Sequence, residues 1–462
     1  MNLVFCASEV FPFAKTGGLA DVTGALPLAL ERSGQEVAIV MPFYQCVQEG
    51  KFDLGRTAEG INYAVIGKNI KVYFAANDAY FKREWLYGTT HGDFGDNLDR
   101  FAYFCQKALE IIKAAGFRPD IIHCHDWQTG LIPAYLKIRS ATDPFYKHTR
   151  SLITIHNLGY QGLFEKGQFW MTGLKPEYFN QEGFEFYNKI NLLKGGIAFS
   201  DIINTVSPTY SREIQTKELG FGLEGVLRKR QRDVFGILNG LDYSIWDPAK
   251  DGLISARYSL ADLNGKAKDK KALQEICRFP VNENIPVLGV VSRLAEQKGL
   301  ELLTASLERI CKNNLQLVIL GTGDLKYHKL LQRIAAKFPK NFALFLKFDE
   351  TLAHQVYAGC DIFLMPSQYE PCGLGQMIGL KYGSLPLVFK TGGLADTVDS
   401  NNGFVFKKYS SQELLETIGQ ALKLFAQKDK WRFLQKNAMR ADFSWETSAK
   451  RYIELYEKAK KS

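Results

Sequence analysis

The sequence predicts an α/β protein built from two Rossmann-like, open parallel-sheet domains, and three observations carry that expectation. Short apolar runs alternate with amphipathic stretches along nearly the whole chain, the rhythm of a parallel sheet covered by helices on both faces. The rhythm restarts after a punctuated stretch at 240–286, so there are two series. A loop, Lys15-Thr16-Gly17-Gly18-Leu19-Ala20-Asp21, returns in the second series as Lys390-Thr391-Gly392-Gly393-Leu394-Ala395-Asp396. At 462 residues and 52.2 kDa the chain also exceeds one ordinary core.

In chain order, the strands expected in the first series are 3–7, 37–41, 121–125, 152–156, 202–206 and 234–238. Between 3–7 and a helix-like segment at 20–32 lies the first Gly-Gly loop, a strand-to-helix turn. Paired glycines permit positive φ and close backbone approach, and the amides opening the next helix favour an anion. A phosphate or a sugar oxygen is expected there. In open parallel sheets the working residues gather past the carboxyl ends of strands. Polar residues stand at those ends: 123–126, His156-Asn157, Ser207-Pro208 and Asn239-Gly240. The stretch 240–286 carries Asp-Pro, Asp-Gly and Asn-Gly steps and a lysine-rich patch at 266–271, and reads as a connecting region that includes a helix. The second series follows, with strands at 287–292, 317–320, 343–347, 361–365 and 385–389 and helices from about 299 and 325. At 445–458, Ala449, Tyr452, Ile453 and Tyr456 share one face of a helix that must dock somewhere.

Composition sets limits on function. With 46% hydrophobic and 23% charged residues the chain is globular, and a net charge of +9 suits an anionic ligand without requiring one. The densest basic cluster, Arg228-Lys229-Arg230-Gln231-Arg232, lacks interleaved aromatics and reads as a solvated helix face; nucleic acid is not an expected partner. Eight scattered cysteines with no C-x-x-C pattern read as reduced thiols of a cytoplasmic protein. No apolar run reaches the roughly 18 residues a membrane span needs, and no targeting segment is recognised, so no membrane partner is expected.

Two familiar chemistries are disfavoured. Neither Gly17, Gly18 and Gly24 nor Gly321-Thr322-Gly323 completes a G-x-G-x-x-G fingerprint, and no G-x-x-x-x-G-K-[ST] occurs. In the second series, Arg293 and Lys298 sit where a strand ends and a helix begins, a cradle for a diphosphate. The string Pro366-Ser367-Gln368-Tyr369-Glu370-Pro371-Cys372-Gly373-Leu374-Gly375-Gln376 follows the next strand but two. There Glu370 can accept sugar hydroxyls, or cap a helix, while loop amides hold an anion. Cys372 reads as a packed thiol because no histidine lies near it in sequence. His123, Cys124, His125 and Asp126 have the residue types of a metal site, but no second cluster completes it, and no Asp-x-Asp occurs. No metal or cofactor is expected.

These motifs together closely resemble the bacterial glycogen synthases and plant starch synthases, over essentially the whole chain. The resemblance rests on the Lys15–Asp21 loop, on His125-Asp126-Trp127, on Thr154-Ile155-His156-Asn157-Leu158-Gly159-Tyr160-Gln161-Gly162 and on Thr205-Val206-Ser207-Pro208. It continues through Ile237-Leu238-Asn239-Gly240-Leu241-Asp242, Ser292-Arg293-Leu294, Gln297-Lys298-Gly299, Glu370-Pro371-Cys372-Gly373-Leu374 and Leu380-Lys381-Tyr382-Gly383. It implies the glycosyltransferase-B architecture, with an acceptor-side domain at 1–240, a nucleotide-sugar domain at 241–440, an active site in the cleft between them, and a last segment at 441–462 crossing back to the first domain. It implies retaining transfer of glucose from ADP-glucose to the non-reducing 4-hydroxyl of an α-1,4-glucan, without a required metal.

By the same resemblance Arg293 and Lys298 neutralise the leaving diphosphate, Glu370 holds glucose hydroxyls, and Cys372, Gly373 and Leu374 lie at the phosphates. His156 lies against the glucose, Lys15 and Gly18 face the phosphates from the first domain, and Asp21, Asp126, Asn157 and Asn239 frame the sugar and acceptor. Phe348 is the expected platform for adenine. Two positions depart from related patterns. Ile378 stands where broader relatives carry a second glutamate, as the narrower family also lacks it, and Phe94 replaces a tyrosine near the acceptor region. The alternatives are a UDP-glucose-dependent glucan synthase, an enzyme making sucrose or trehalose phosphate, which the Lys15 loop and the Glu-Pro-Cys-Gly-Leu string disfavour, and a catalytically silent glucan-binding homologue.

Overall fold

Leu3, Val4, Phe5 and Cys6 are apolar without alternation, as a strand covered on both faces requires, and all four are buried. In the computed structural model, which describes residues 1–89 and 92–461, their strand Asn2–Cys6 lies at the middle of a nine-stranded sheet. The sheet runs Val234–Gly236, Ile202–Thr205, Arg150–Ile155, Ile121–His125, Asn2–Cys6, Glu36–Pro42 and Ile70–Ala75, all parallel. Two antiparallel edge strands, Asn62–Ile66 and Gly55–Arg56, close it. A second sheet is parallel throughout, ordered Phe342–Phe345, Gln316–Leu320, Val287–Val291, Ile362–Met365, Leu385–Phe389 and Phe404–Phe406.

The expected strands all form, several of them ending a residue or two early because the chain bends away to make the loops that carry polar groups. Ile70–Ala75 and Phe404–Phe406 were not expected. The first is preceded by the turn-forming Gly67-Lys68-Asn69 and interrupted by Lys71, and the second is a three-residue edge strand.

The chain divides into two units: Met1–Gly240 joined by the closing helix Trp445–Lys461, and Leu241–Ser444. Ser462, the last residue of the expected segment 441–462, lies outside the described residues. The closing helix buries Trp445, Ala449, Tyr452, Leu455, Tyr456 and Ala459 in the first unit. Its register is fixed by polar groups: Tyr456 Oη bonds His123 Nδ1 at 2.8 Å, Asn204 Nδ2 donates to Tyr452 Oη at 3.0 Å, and Ser448 Oγ donates to the Leu238 carbonyl at 2.7 Å. Tyr456→Phe therefore strands a buried imidazole nitrogen. We expect it to lower the free energy of unfolding in urea by about 1–3 kcal/mol.

The helix expected within 240–286 forms at Asn264–Ile276, where it packs inside the second unit and Lys266 is buried. The Lys266 ammonium donates to the carbonyls of Ala358 and Cys360 and to Ser384 Oγ, at 2.9, 3.1 and 2.8 Å, which makes a buried cation tolerable. Likewise Arg230, expected on a solvated face, is half-buried and donates to the carbonyls of Ile197, Ser200 and Asp201.

Candidate active site

The first Gly-Gly loop leaves the strand Asn2–Cys6 and enters the helix Gly18–Arg32. Lys15 to Gly18 are exposed, neither glycine has a positive φ, and a Cβ on either would meet nothing. The glycines thus serve to keep the backbone bare; no strained turn requires them. The amides of Thr16 and Gly17 are already taken by Glu9, a buried carboxylate that also accepts Thr16 Oγ1 and Tyr87 Oη, each at 2.7 Å. Glu9 carries no motif around it, and sequence reasoning missed it. Its charge occupies part of the anion site expected at this loop, leaving the Gly18 end of the helix open. Lys15 pairs with Asp21 at 2.6 Å on the solvent side. Phe94 is held between Arg83 and Arg100, at 4.9 and 5.1 Å, and donates its amide to the Tyr87 carbonyl.

The second copy of the loop does something else. Gly392 has φ +43°, and a Cβ there would overlap the Glu370 carbonyl; one on Gly393 would overlap that of Cys372. Thr391 to Leu394 of this copy are buried and buttress the Glu370 loop, to which Gly393 N donates at 3.1 Å.

Alternate residues of Ile121–His125 put His123 and His125 on one face, with rings 4.1 Å apart, and His156 follows Arg150–Ile155. The histidines of the metal-like cluster bond to neighbouring side chains, though His125 Nε2 is buried without a partner among the described residues. His123 uses Tyr456 Oη and Thr154 Oγ1, and His125 Nδ1 meets His156 Nε2 at 3.0 Å. Burial pulls the imidazoles of His123 and His125 well below their ordinary range, and that of His156 down to about 3. The open edge of His156 moderates that depression, and its ring is neutral at pH 7 either way. Asp126, at φ 55°, takes the His156 amide on Oδ1 at 2.7 Å; burial pushes its carboxyl up to about 7 against those backbone bonds. Asn157 Oδ1 caps a turn by accepting the Gly159 amide, whereas Asn239 Oδ1 is buried without a partner among the described residues.

These shifts oppose one another in pH. Each histidine is depressed in the fold, so between its unfolded value near 6.5 and its folded value the unfolded chain binds the extra proton and stability falls on acidification. Asp126 is raised, so its contribution is full below about pH 4 and lost as pH rises through about 7. Three groups against one leave a net loss on acidification. We expect the Tm to fall between pH 7 and pH 5, with a slope of about 1.4 kcal/mol per pH unit for each histidine not offset; a Tm that rises would contradict this.

In the second unit, Lys298 Nζ and Glu370 Oε2 pair at 2.7 Å, and Ser367 Oγ donates to the same oxygen at 3.0 Å. Glu370 is buried and caps no helix; Leu374 is the N-cap of Gly375–Lys381. The Lys298 and Glu370 loops are laced together, Gln368 N donating to the Gln297 carbonyl at 2.9 Å. At Gly299, φ +74°, a Cβ would overlap the Pro366 carbonyl. Arg293 is exposed on the same loop as Lys298. Cys372 is buried, Gln376 Nε2 donates to the carbonyls of Cys372 and Gly373, both at 3.0 Å, and Ile378 is core. Phe348 stands out at 90% exposed. The structure thus brings Lys298, Glu370, Cys372, Gly373 and Leu374 together in one unit, and Asp126, His156 and Asn157 in the other.

Two Rossmann-like sheets, one of them with a cation–carboxylate pair at its strand ends, define a nucleotide-sugar-type glycosyltransferase scaffold, and the comparisons narrow it. Residues 2–229 match the starch synthase catalytic domain, and residues 274–437 the glycosyl transferases group 1. The chain is 49% identical to the glycogen synthase of Geotalea daltonii, with 99% of this chain and 98% of the relative aligned, and 45% identical to that of Thermotoga petrophila, with 99% of both. The catalytic domain of starch synthase IV from Arabidopsis thaliana, solved bound to ADP and acarbose, superposes with a TM-score of 0.89 at 34% identity, covering 100% of this chain and 99% of that one. The chain belongs to the glycogen synthase family, and it is a glycosyltransferase.

Proposed function

We propose that the protein elongates an α-1,4-glucan, transferring glucose from ADP-glucose to the non-reducing 4-hydroxyl with retention and releasing ADP. The observation that carries this reading is the Lys298–Glu370 pair beside exposed Arg293, in loops laced to one another. Arg293 and Lys298 neutralise the departing diphosphate, a task divalent ions perform elsewhere. Glu370 orients glucose hydroxyls, the amides of Gly373 and Leu374 beside Cys372 face the phosphates, and Phe348 stacks on adenine. These assign the donor to 241–440. The first domain, 1–240 with the segment 441–462, presents the acceptor: Asp126, Asn157, Asn239 and Asp21 frame the sugars, while Lys15 and Gly18 reach the phosphates.

A neutral His156 suits a place against a developing oxocarbenium ion, where an imidazolium would repel the charge. Retention by double displacement would need a carboxylate on the far face of the sugar. The reading assigns none, so substitution proceeds on one face, with the leaving phosphate assisting deprotonation of the acceptor. Eight free cysteines support a reaction in the cytoplasm, and no helix among the described residues is long and apolar enough to cross a membrane.

The test is ADP release against UDP release from the two glucose donors, with and without glycogen. Primer-dependent ADP release is the expected result. Preference for UDP-glucose would overturn the donor and the role of Phe348; turnover of neither would leave a glucan-binding homologue.

A further inference from the structure

Two residues of the first unit hold bulky aromatic side chains in left-handed backbone. Tyr187, at φ 47°, opens the two-residue turn between the paired Phe186 and Lys189, followed by Asn188 at φ 63°. Such turns favour Asn or Gly at both positions, because a Cβ is costly there. Tyr187 recovers little of that cost through burial, being 80% exposed. Phe221, at φ 49°, is 39% exposed. Strain retained under an exposed side chain points to a use for that side chain.

Phe221 connects to the His156 loop through a buried hub. Gln161 Nε2 donates to the Phe221 carbonyl at 3.1 Å, and Asn191 Nδ2 donates to Gln161 Oε1 at 2.7 Å. The residue before the hub, Tyr160, is 55% exposed and donates its amide to the Asn157 carbonyl at 3.1 Å. On the far side, the backbone at Gly222 packs against the rings of Phe186 and Tyr187. Three exposed aromatics, Tyr160, Phe221 and Tyr187, are therefore linked through neighbouring segments to the loop assigned to the acceptor on the same unit.

We propose that Tyr160, Phe221 and Tyr187 form a track on which the distal glucose units of an α-1,4-glucan acceptor stack. The inference rests on the glucan-elongating reading above. Pyranose rings present an apolar C–H face to an aromatic plane and hydroxyls at the rim, and a row of platforms suits a repeating chain. The track sets a preference for longer acceptors: a chain too short to reach Tyr187 gains nothing from it.

Tyr187→Asn tests this, since asparagine relieves the turn and the variant should be at least as resistant to urea. Titration calorimetry with maltoheptaose and no donor is expected to show about tenfold weaker binding, and KM for glycogen should rise about tenfold. KM for the donor should stay unchanged, and Tyr187→Phe should restore acceptor binding. Wild-type affinity for maltoheptaose in Tyr187→Asn would overturn the track while leaving the glucan reading intact. A wild-type chain that neither binds maltoheptaose nor extends it would overturn both.

Discussion

Lys298→Ala is expected to lower kcat for glucosyl transfer by about 10²–10³-fold, the usual cost of removing one preorganised group aimed at developing charge. Two effects add. The departing diphosphate loses a cation, and Glu370, buried with Lys298 at 2.7 Å, loses the partner that holds its carboxylate in place. Leaving a buried carboxylate unpaired also threatens the fold, so the variant alone would confuse the two. Glu370→Gln separates them, because the amide oxygen still accepts from Lys298 and Ser367 while the charge is gone. Near-native urea unfolding with kcat down by a similar factor is the expected outcome for Glu370→Gln. Full activity in that variant would remove Glu370 from the site.

His156→Gln should cost about 10²-fold in kcat/KM, and the informative measurement is its pH profile. A general acid or base titrating near neutrality would make the wild-type and variant profiles diverge between pH 5 and 8. Because burial holds His156 neutral, with its value down at about 3, their ratio should stay flat across that range. Any titration near pH 7 is better sought at Asp126, whose carboxyl burial pushes up to about 7. Asp126→Asn should remove such an inflection, whereas His156→Gln should not.

The parallel sheets were legible because their strands are apolar without interruption, and Lys298 and Glu370 because each follows such a strand in a string too specific to arise by chance. Their direct pairing was not legible, since a 2.7 Å contact across 72 residues follows from the neighbouring positions of Val287–Val291 and Ile362–Met365 in the sheet. Glu9 was missed for a related reason: a single carboxylate gains meaning only from the amides folded around it. The repeated Gly-Gly loop was misleading in part. The paired glycines stay bare where the Asn2–Cys6 strand ends and become a buried support after Leu385–Phe389, because packing decides the use of a backbone that glycine leaves open. Arg230 shows the converse, a cation that its basic cluster assigns to solvent and carbonyl oxygens draw inside.

The closing helix has a consequence for biosynthesis. Tyr452 and Tyr456 complete the interior of the first unit, yet they are translated only after the whole of the second. About 200 residues, Leu241–Ser444, are made in between, which at 5–20 residues per second takes roughly ten to forty seconds. Throughout that interval the nascent first unit exposes the apolar groove meant for Trp445 and Ala449, with His123 lacking the Tyr456 hydroxyl and Asn204 that of Tyr452. Maturation of the first unit therefore waits on synthesis of the closing helix, and a ribosome stalled anywhere in the second unit leaves the first with an open seam.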